Sequence, residues 1–330
     1  MIITRTPFRI SFFGGGTDYP AWYQDNKGAV LATTINKYCY LSIRYLPPFF
    51  DYNSRIVWSK IELVKDFEEI QHPSVRAILR YLAIDRGVAI HHDADLPARS
   101  GLGSSSSFTV GLLHALYGLK GVLSSKQQLA NEAIRIEQKV LRENVGCQDQ
   151  IIAAYGGLNR IDFSGGDQTH VTQIILSQDK IRLFQDHLLL FFTGLSRTAS
   201  DIAKEQIENT KNKKRELKMM YEMVDKGVNI LKNGSDLTAF GQLLHESWKL
   251  KRSLSDKIST PYIDELYDRA LKAGAIGGKL LGAGGGGFLL LFAMPQDHPR
   301  IKESFEGLLH VPFQFENLGS QIIFYEPVTL

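Results

Sequence analysis

The spacing of apolar and polar positions makes the first half of the chain strand-rich and most of the second half helical. Ile2 to Phe13 is a run of β-branched and aromatic residues that predicts a strand broken near Pro7. Ala29–Arg44 and Arg55–Val64 predict further strands with Pro47-Pro48 between them, and Pro73–Leu82 predicts a short helix. In Gly87–Asp95 the alternation of Val88 and Ile90 again marks a strand. The period then changes: Phe108, Leu112 and Leu116 recur at helical spacing, with Gly118 placed as a C-terminal stop. Ser124 or Ser125 caps a second helix running to about Arg142, whose apolar stripe is Ala130, Ala133, Ile134, Val140 and Leu141. Beyond a break near Gly165-Gly166-Asp167, Leu188–Thr193 predicts a strand and Ser196–Lys232, Leu237–Lys251 and Tyr262–Ala273 predict helices. Phe313–Phe315 and Gln321–Tyr325 return the chain to a sheet. This is an α+β pattern, and a change of domain in the 165–190 region gives units of 1–185 and 186–330.

Composition narrows the class. At 330 residues the chain can bury two cores, and 44% hydrophobic with 22% charged residues is a globular balance. The net charge of +3 argues neither for nor against nucleic acid, and the basic run Lys211–Lys218 reads as a solvated helix face, so no nucleic-acid partner is expected. Cys39 and Cys147 lack any metal-ligating spacing and are far apart, which fits a reducing compartment. The N-terminus lacks the long apolar stretch of a signal peptide, and the longest apolar run, Phe288–Met294, is too short to span a bilayer. A cytoplasmic protein without a membrane partner is expected; a homodimer is left open.

Chemistry concentrates at three glycine-rich stretches. Pro97-Ala98-Arg99-Ser100-Gly101-Leu102-Gly103-Ser104-Ser105-Ser106-Ser107 joins a predicted strand to a predicted helix. Two glycines let the backbone approach a ligand, four serines offer hydroxyls and an N-cap, and a helix N-terminus favours a polyanion. It is not a Walker loop, and alone it is equally an ordinary serine-rich cap. Gly14-Gly15-Gly16-Thr17-Asp18-Tyr19-Pro20 closes the first strand; its hydroxyl and carboxylate suit sugar hydroxyls, and a plain turn explains them as well. Gly282 to Gly287 formally satisfies a dinucleotide fingerprint but precedes a strand, so a nicotinamide cofactor is discounted. Two acids stand out. Glu137 falls on an apolar stripe, where a carboxylate needs compensation by a magnesium ion, an arginine or a structural ion pair. Asp149 opens a short buried helix, as a dipole partner or as a base.

The ordered set Pro7-Phe8-Arg9-Ile10…Gly14…Thr17-Asp18, Pro97…Gly101-Leu102-Gly103-Ser104-Ser105 and Lys279…Gly282-Ala283-Gly284-Gly285-Gly286 resembles the three motifs of the GHMP kinase superfamily, which includes galactokinase, homoserine kinase and mevalonate kinase. Within it, the first loop, Val145-Gly146-Cys147-Gln148-Asp149-Gln150 and Gly277-Gly278-Lys279-Leu280-Leu281-Gly282-Ala283-Gly284 are most similar to the D-glycero-D-manno-heptose 7-phosphate kinases, which phosphorylate the anomeric hydroxyl. The resemblance implies a two-domain α+β fold with ATP and sugar phosphate meeting in the interdomain cleft. It implies ATP phosphates on Ser100, Gly101, Leu102, Gly103, Ser104, Ser105 and Ser106, Mg²⁺ on Ser105 and Glu137, and Asp149 as base with Arg9 beside it. Gly14, Gly15, Gly16, Thr17, Asp18, Gly284 and Gly285 fall at the sugar. Where galactokinase has Gly-Glu-His-Thr-Asp-Tyr, Gly15 and Gly16 leave room for the longer arm of a heptose. The substrate's own phosphate needs cations, for which Arg197 and Lys279 are candidates; Lys279 also suits the nucleotide.

Overall fold

The computed structural model describes residues 1–194, 199–234 and 236–327. The first half runs β1 (Ile2–Phe13), α1 (Pro20–Tyr23), β2 (Gly28–Tyr45), β3 (Ser54–Val57), β4 (Ile61–Val64), α2 (Pro73–Tyr81), β5 (Val88–Ala94), α3 (Ser104–Leu119), α4 (Lys126–Arg135) and α5 (Gln148–Tyr155). There follow β6 (Leu158–Ser164), β7 (Gln168–Gln173), α6 (Gln178–Asp186), β8 (Leu188–Phe192), α7 (Ala199–Asn209), α8 (Lys214–Asn233), α9 (Thr238–Arg252) and α10 (Pro261–Lys272). The chain ends with β9 (Ala275–Leu280), β10 (Phe288–Ala293), α11 (His298–Ser304), β11 (Leu309–His310), β12 (Phe315–Glu316) and β13 (Gln321–Tyr325).

The α+β architecture has two sheets. One follows the order β13-β1-β2-β5-β3-β4, with β6, β7 and β12 attached through β2 and β6; the other is β11-β8-β10-β9. Both β12 and β13 come from the C-terminal end yet pair with β2 and β1, so the chain re-enters the sheet it began in. Phe12 of β1, Phe184 of α6, Phe240 of α9 and Phe315 of β12 pack ring against ring where the two parts meet, with centroids 4.7–6.3 Å apart. This aromatic cluster ties β1, α6, α9 and β12 together.

Several elements depart from the sequence pattern for local reasons. Pro7 does not break β1; its missing N–H is accommodated by a register shift between Pro7 and Phe8. The strand expected over 55–64 is a hairpin, turned where the Trp58 N–H donates to the Lys60 carbonyl. Gly118 lies inside α3 rather than after it: a Cβ there would meet Ile322 Cδ1 at 2.8 Å, so the glycine permits close packing on β13. The stop comes at Gly121, whose φ is +69°. The N-cap of α3 is Gly103 at φ +75°, with no side-chain cap, where a serine was expected. Ser125 caps α4 by accepting from the Gln128 N–H, but the helix gives way at Ile136–Val140 to a π-turn that carries Glu137. The long helical stretch expected over 196–232 is two helices, and the β6–β7 hairpin and α6 had no counterpart in the pattern reading.

Candidate active site

Three backbone segments converge at one cleft: the loop after β1, the loop leading into α3, and the loop between β9 and β10. Their glycines are what allow the approach. A Cβ on Gly101 would lie 2.5 Å from the Leu281 carbonyl oxygen, one on Gly282 would lie 2.4 Å from Gly101 Cα, and one on Gly287 would lie 2.3 Å from the Ser100 carbonyl oxygen. The second and third loops therefore pack backbone on backbone, which only glycine permits.

At the centre stands Asp149, in the first turn of α5. Arg9, from the middle of β1, donates Nε–H to Asp149 Oδ1 and Nη2–H to Oδ2, both at 2.7 Å, and Nη1–H to the Gly101 carbonyl at 2.6 Å. One guanidinium thus fixes the carboxylate and the loop together. The Asp149 side chain keeps 25% exposure against 5% for Arg9, so the acid has an open face to the cleft. A Cβ on Gly103 would sit 3.4 Å from Asp149 Oδ2, which puts the carboxylate beside the N-terminus of α3.

Asp18 is buried deeper. Its Oδ1 accepts from the Gly16 N–H at 2.9 Å, and burial pushes its carboxyl above the ordinary range, against that N–H and helped by the charge of Asp149. A Cβ on Gly146 would meet Asp18 Oδ2 at 1.9 Å, so the turn before α5 requires glycine to admit this acid.

The expected nucleotide loop divides by depth. Gly101, Gly103, Ser104, Ser105 and Ser106 line the cleft. Leu102 does not: its side chain is wholly buried and its carbonyl accepts from the Arg9 N–H at 3.0 Å, so it anchors the loop. Ser100 is buried behind the loop. Glu137, expected with Ser105, is bonded instead by the Ser106 hydroxyl at 2.9 Å and by the Gln150 amide, and it sits behind the lining residues. Burial raises its carboxyl to about 7, opposed by the Thr109 hydroxyl, the Gln150 amide and the Ser106 hydroxyl. A buried carboxylate set among the Ser106 and Thr109 hydroxyls is a hard oxygen donor set that fits a divalent cation such as Mg²⁺. Among the described residues no group of three or more His, Cys, Asp or Glu could hold a metal unaided, so the remaining ligands would have to be phosphate oxygens and water.

On the expected sugar side, Gly15, Gly16 and Asp18 line the cleft, and Gly14 and Thr17 do not. A Cβ on Gly14 would lie 1.9 Å from the Ala29 carbonyl oxygen, and the buried Thr17 hydroxyl is engaged with the Gly14 and Ala29 carbonyls, so both hold the loop onto β2. The room expected at Gly16 is filled by protein, since a Cβ there would meet Gln206 Nε2 at 2.5 Å; at Gly15 the nearest atom would be 3.7 Å away. Gly284 and Gly285 face the backbone of Ile258, not the cleft; Gly282 and Ala283 line it instead. Arg197 lies outside the described residues. Lys279 lines the cleft, buried, with Nζ donating to the Phe12 carbonyl at 2.9 Å.

Pattern reading missed Lys251, Ser11, Tyr19, Gln148 and Gln206, all of which line the cleft. Lys251 carried a legible signal: it continues the buried stripe Phe240, Leu244, Trp248 of α9 at helical spacing, the same anomaly that exposed Glu137. Burial lowers its ammonium to about 7, Arg9 adds to this, and the charges of Asp18 and Asp149 oppose it.

The profile described as GHMP kinases N terminal domain matches residues 69–157, and that described as GHMP kinases C terminal matches residues 228–307, together just over half of the chain. D-glycero-alpha-D-manno-heptose 7-phosphate kinase of Campylobacter jejuni is 27% identical over 89% of this chain and 90% of its own length. L-fucokinase/L-fucose-1-P guanylyltransferase of Bacteroides fragilis is 28% identical over 91% of this chain but 35% of its own length. Among solved structures, a D-glycero-D-manno-heptose 1-phosphate kinase from Bacteroides thetaiotaomicron superposes with a TM-score of 0.77 at 23% identity, covering 97% of this chain and 98% of that one. Streptococcus pneumoniae phosphomevalonate kinase shares the fold with a TM-score of 0.77 at 16% identity, covering 96% and 100%.

Proposed function

The chain belongs to the GHMP kinases and, with homologues named as sugar kinases, is a sugar kinase; from this premise we propose that it transfers the γ-phosphoryl group of ATP to the anomeric hydroxyl of D-glycero-D-manno-heptose 7-phosphate, giving the 1,7-bisphosphate and ADP. GHMP kinases use ATP as phosphate donor. The observation that carries the reading is Asp149, held by two bonds from Arg9 and open to the cleft beside the N-terminus of α3.

The roles of the residues follow from that placement. The first-turn amides of α3 and the hydroxyls of Ser104 and Ser105 would bind the triphosphate, an arrangement favoured by the helix dipole. Ser105, Ser106 and Glu137 would hold Mg²⁺, which when bound neutralises charge on the phosphate oxygens. Asp149 would orient the anomeric hydroxyl and accept its proton at a carboxylate oxygen as the hydroxyl attacks. Arg9 holds Asp149 and the Gly101 carbonyl in one frame, which keeps nucleophile and loop in register. Asp18 and the open side of Gly15 would receive the sugar. The terminal phosphate on the acceptor is supported by similarity to the Campylobacter jejuni heptose 7-phosphate kinase.

A second reading, an L-fucose or hexose 1-kinase, has the Bacteroides fragilis relative in its favour. Steady-state assay of an acceptor panel with and without a terminal phosphate separates the two. The heptose 7-phosphate should exceed L-fucose and hexoses in kcat/KM by about a hundredfold or more, the discrimination that two charge-assisted bonds provide. Equal turnover of phosphorylated and unphosphorylated sugars would remove the heptose reading.

A further inference from the structure

Lys251 and Lys279 both line the cleft at 5% and 2% exposure, and among the described residues neither forms an ion pair. Among the described residues, Lys251 Nζ donates to the carbonyls of Leu280, at 3.3 Å, and Gly282, and Lys279 Nζ to that of Phe12. An ammonium has three donors, so each lysine retains at least one without a partner among the described residues. The buried Ser11 hydroxyl, which also lines the cleft, likewise has no partner among the described residues. Two buried cations side by side repel, and leaving them without an anion is costly. The charged groups facing them are Arg9 on β1, Asp18 in the loop after it and Asp149 on α5; Asp149 is already engaged by Arg9, and Asp18 by backbone N–H groups.

We propose that Lys251 and Lys279 form a phosphate site of their own, distinct from the N-terminus of α3, which takes a dianionic phosphoryl group within the cleft. The two lysines come from α9 and β9 and line the same cleft as Asp149 and the first turn of α3. A dianion balances two point charges, and lysine presents donors without the planar fork of arginine. The site rests on the kinase reading for the origin of its ligand, which is either the acceptor's own phosphate or the group being transferred. Because burial holds both ammonium groups below their ordinary values, an arriving dianion would draw a proton onto the pair near pH 8.

Calorimetric titration of the intact protein with inorganic phosphate at pH 8, in two buffers of different ionisation enthalpy, tests this. The parent should bind with proton uptake. Lys251→Met should weaken binding about tenfold or more and diminish the uptake, while Lys251→Arg should keep the affinity and diminish the uptake, because arginine stays protonated. Kinetics of the same variants assign the source. A rise in the acceptor's KM alone points to the acceptor's phosphate, and a fall in kcat or a rise in the KM of ATP points to the transferred group. A folded Lys251→Met protein that binds phosphate with the parent's affinity overturns the proposal. Should Lys251→Met not fold, Lys251→Arg decides: parental proton uptake in that variant overturns it, and diminished uptake at parental affinity upholds it. Failure of the heptose reading would look different, since unphosphorylated sugars would then be good acceptors while phosphate affinity still depended on Lys251.

Discussion

A methyl group added at Gly15 meets nothing nearer than Gln148 Nε2 at 3.7 Å, whereas at Gly16 it meets Gln206 Nε2 at 2.5 Å on a backbone with φ +105°. Two adjacent residues of one type therefore differ in what they tolerate. Gly15→Ala should change stability by no more than about 0.5 kcal/mol, and Gly16→Ala should cost about 1–3 kcal/mol, read as a clear fall in Tm for the second only. Similar falls in both would mean that the loop does not sit as described. At this scale the sequence was legible where a polar group broke an apolar stripe or followed a glycine turn, as at Glu137, Asp18 and Asp149. It was not legible where glycine type alone had to tell substrate-facing positions from loop-anchoring ones. Gly14 and Gly284 look like Gly15 and Gly282 in the sequence, and only the carbonyls they approach separate them.

The unit that matters among elements is a pair of loops. The turn before α3 and the turn after β9 interlock through Gly101 and Gly282, with Lys251 bonded to the Gly282 carbonyl from α9 behind them. Gly282→Ala inserts a carbon into that contact at a positive φ of 75° and should displace the phosphate loop. An increase in the KM of ATP of about tenfold or more is expected, exceeding the effect on the acceptor's KM; an unchanged KM would show that the third loop is mere connection. The sequence placed each loop correctly between a strand and its neighbour, because glycine clusters interrupt strong periodicity. It could not show that the two loops touch, since that contact is backbone to backbone and leaves no side-chain pattern. The π-turn at Ile136–Val140 was invisible for a related reason: its residues keep helical spacing on both sides of the extra residue.

At the scale of the whole molecule, an aromatic cluster ties β1, α6, α9 and β12 together, and the Arg9–Asp149 pair lies in the cleft. The α+β class was legible from the mixture of strand and helix periodicities. The return of β12 and β13 to the first sheet was not, because a two-residue strand and an edge strand carry little pattern of their own. With α5 from the first half and α9 from the second facing one space, the chemistry depends on both parts at once. It is tested most directly by the product. Nuclear magnetic resonance of heptose 7-phosphate incubated with ATP and the protein should show a second phosphorus resonance coupled to the anomeric proton. A new phosphorus coupled to any other sugar proton, or ATP consumed with no phosphorylated product, would contradict transfer to the anomeric hydroxyl.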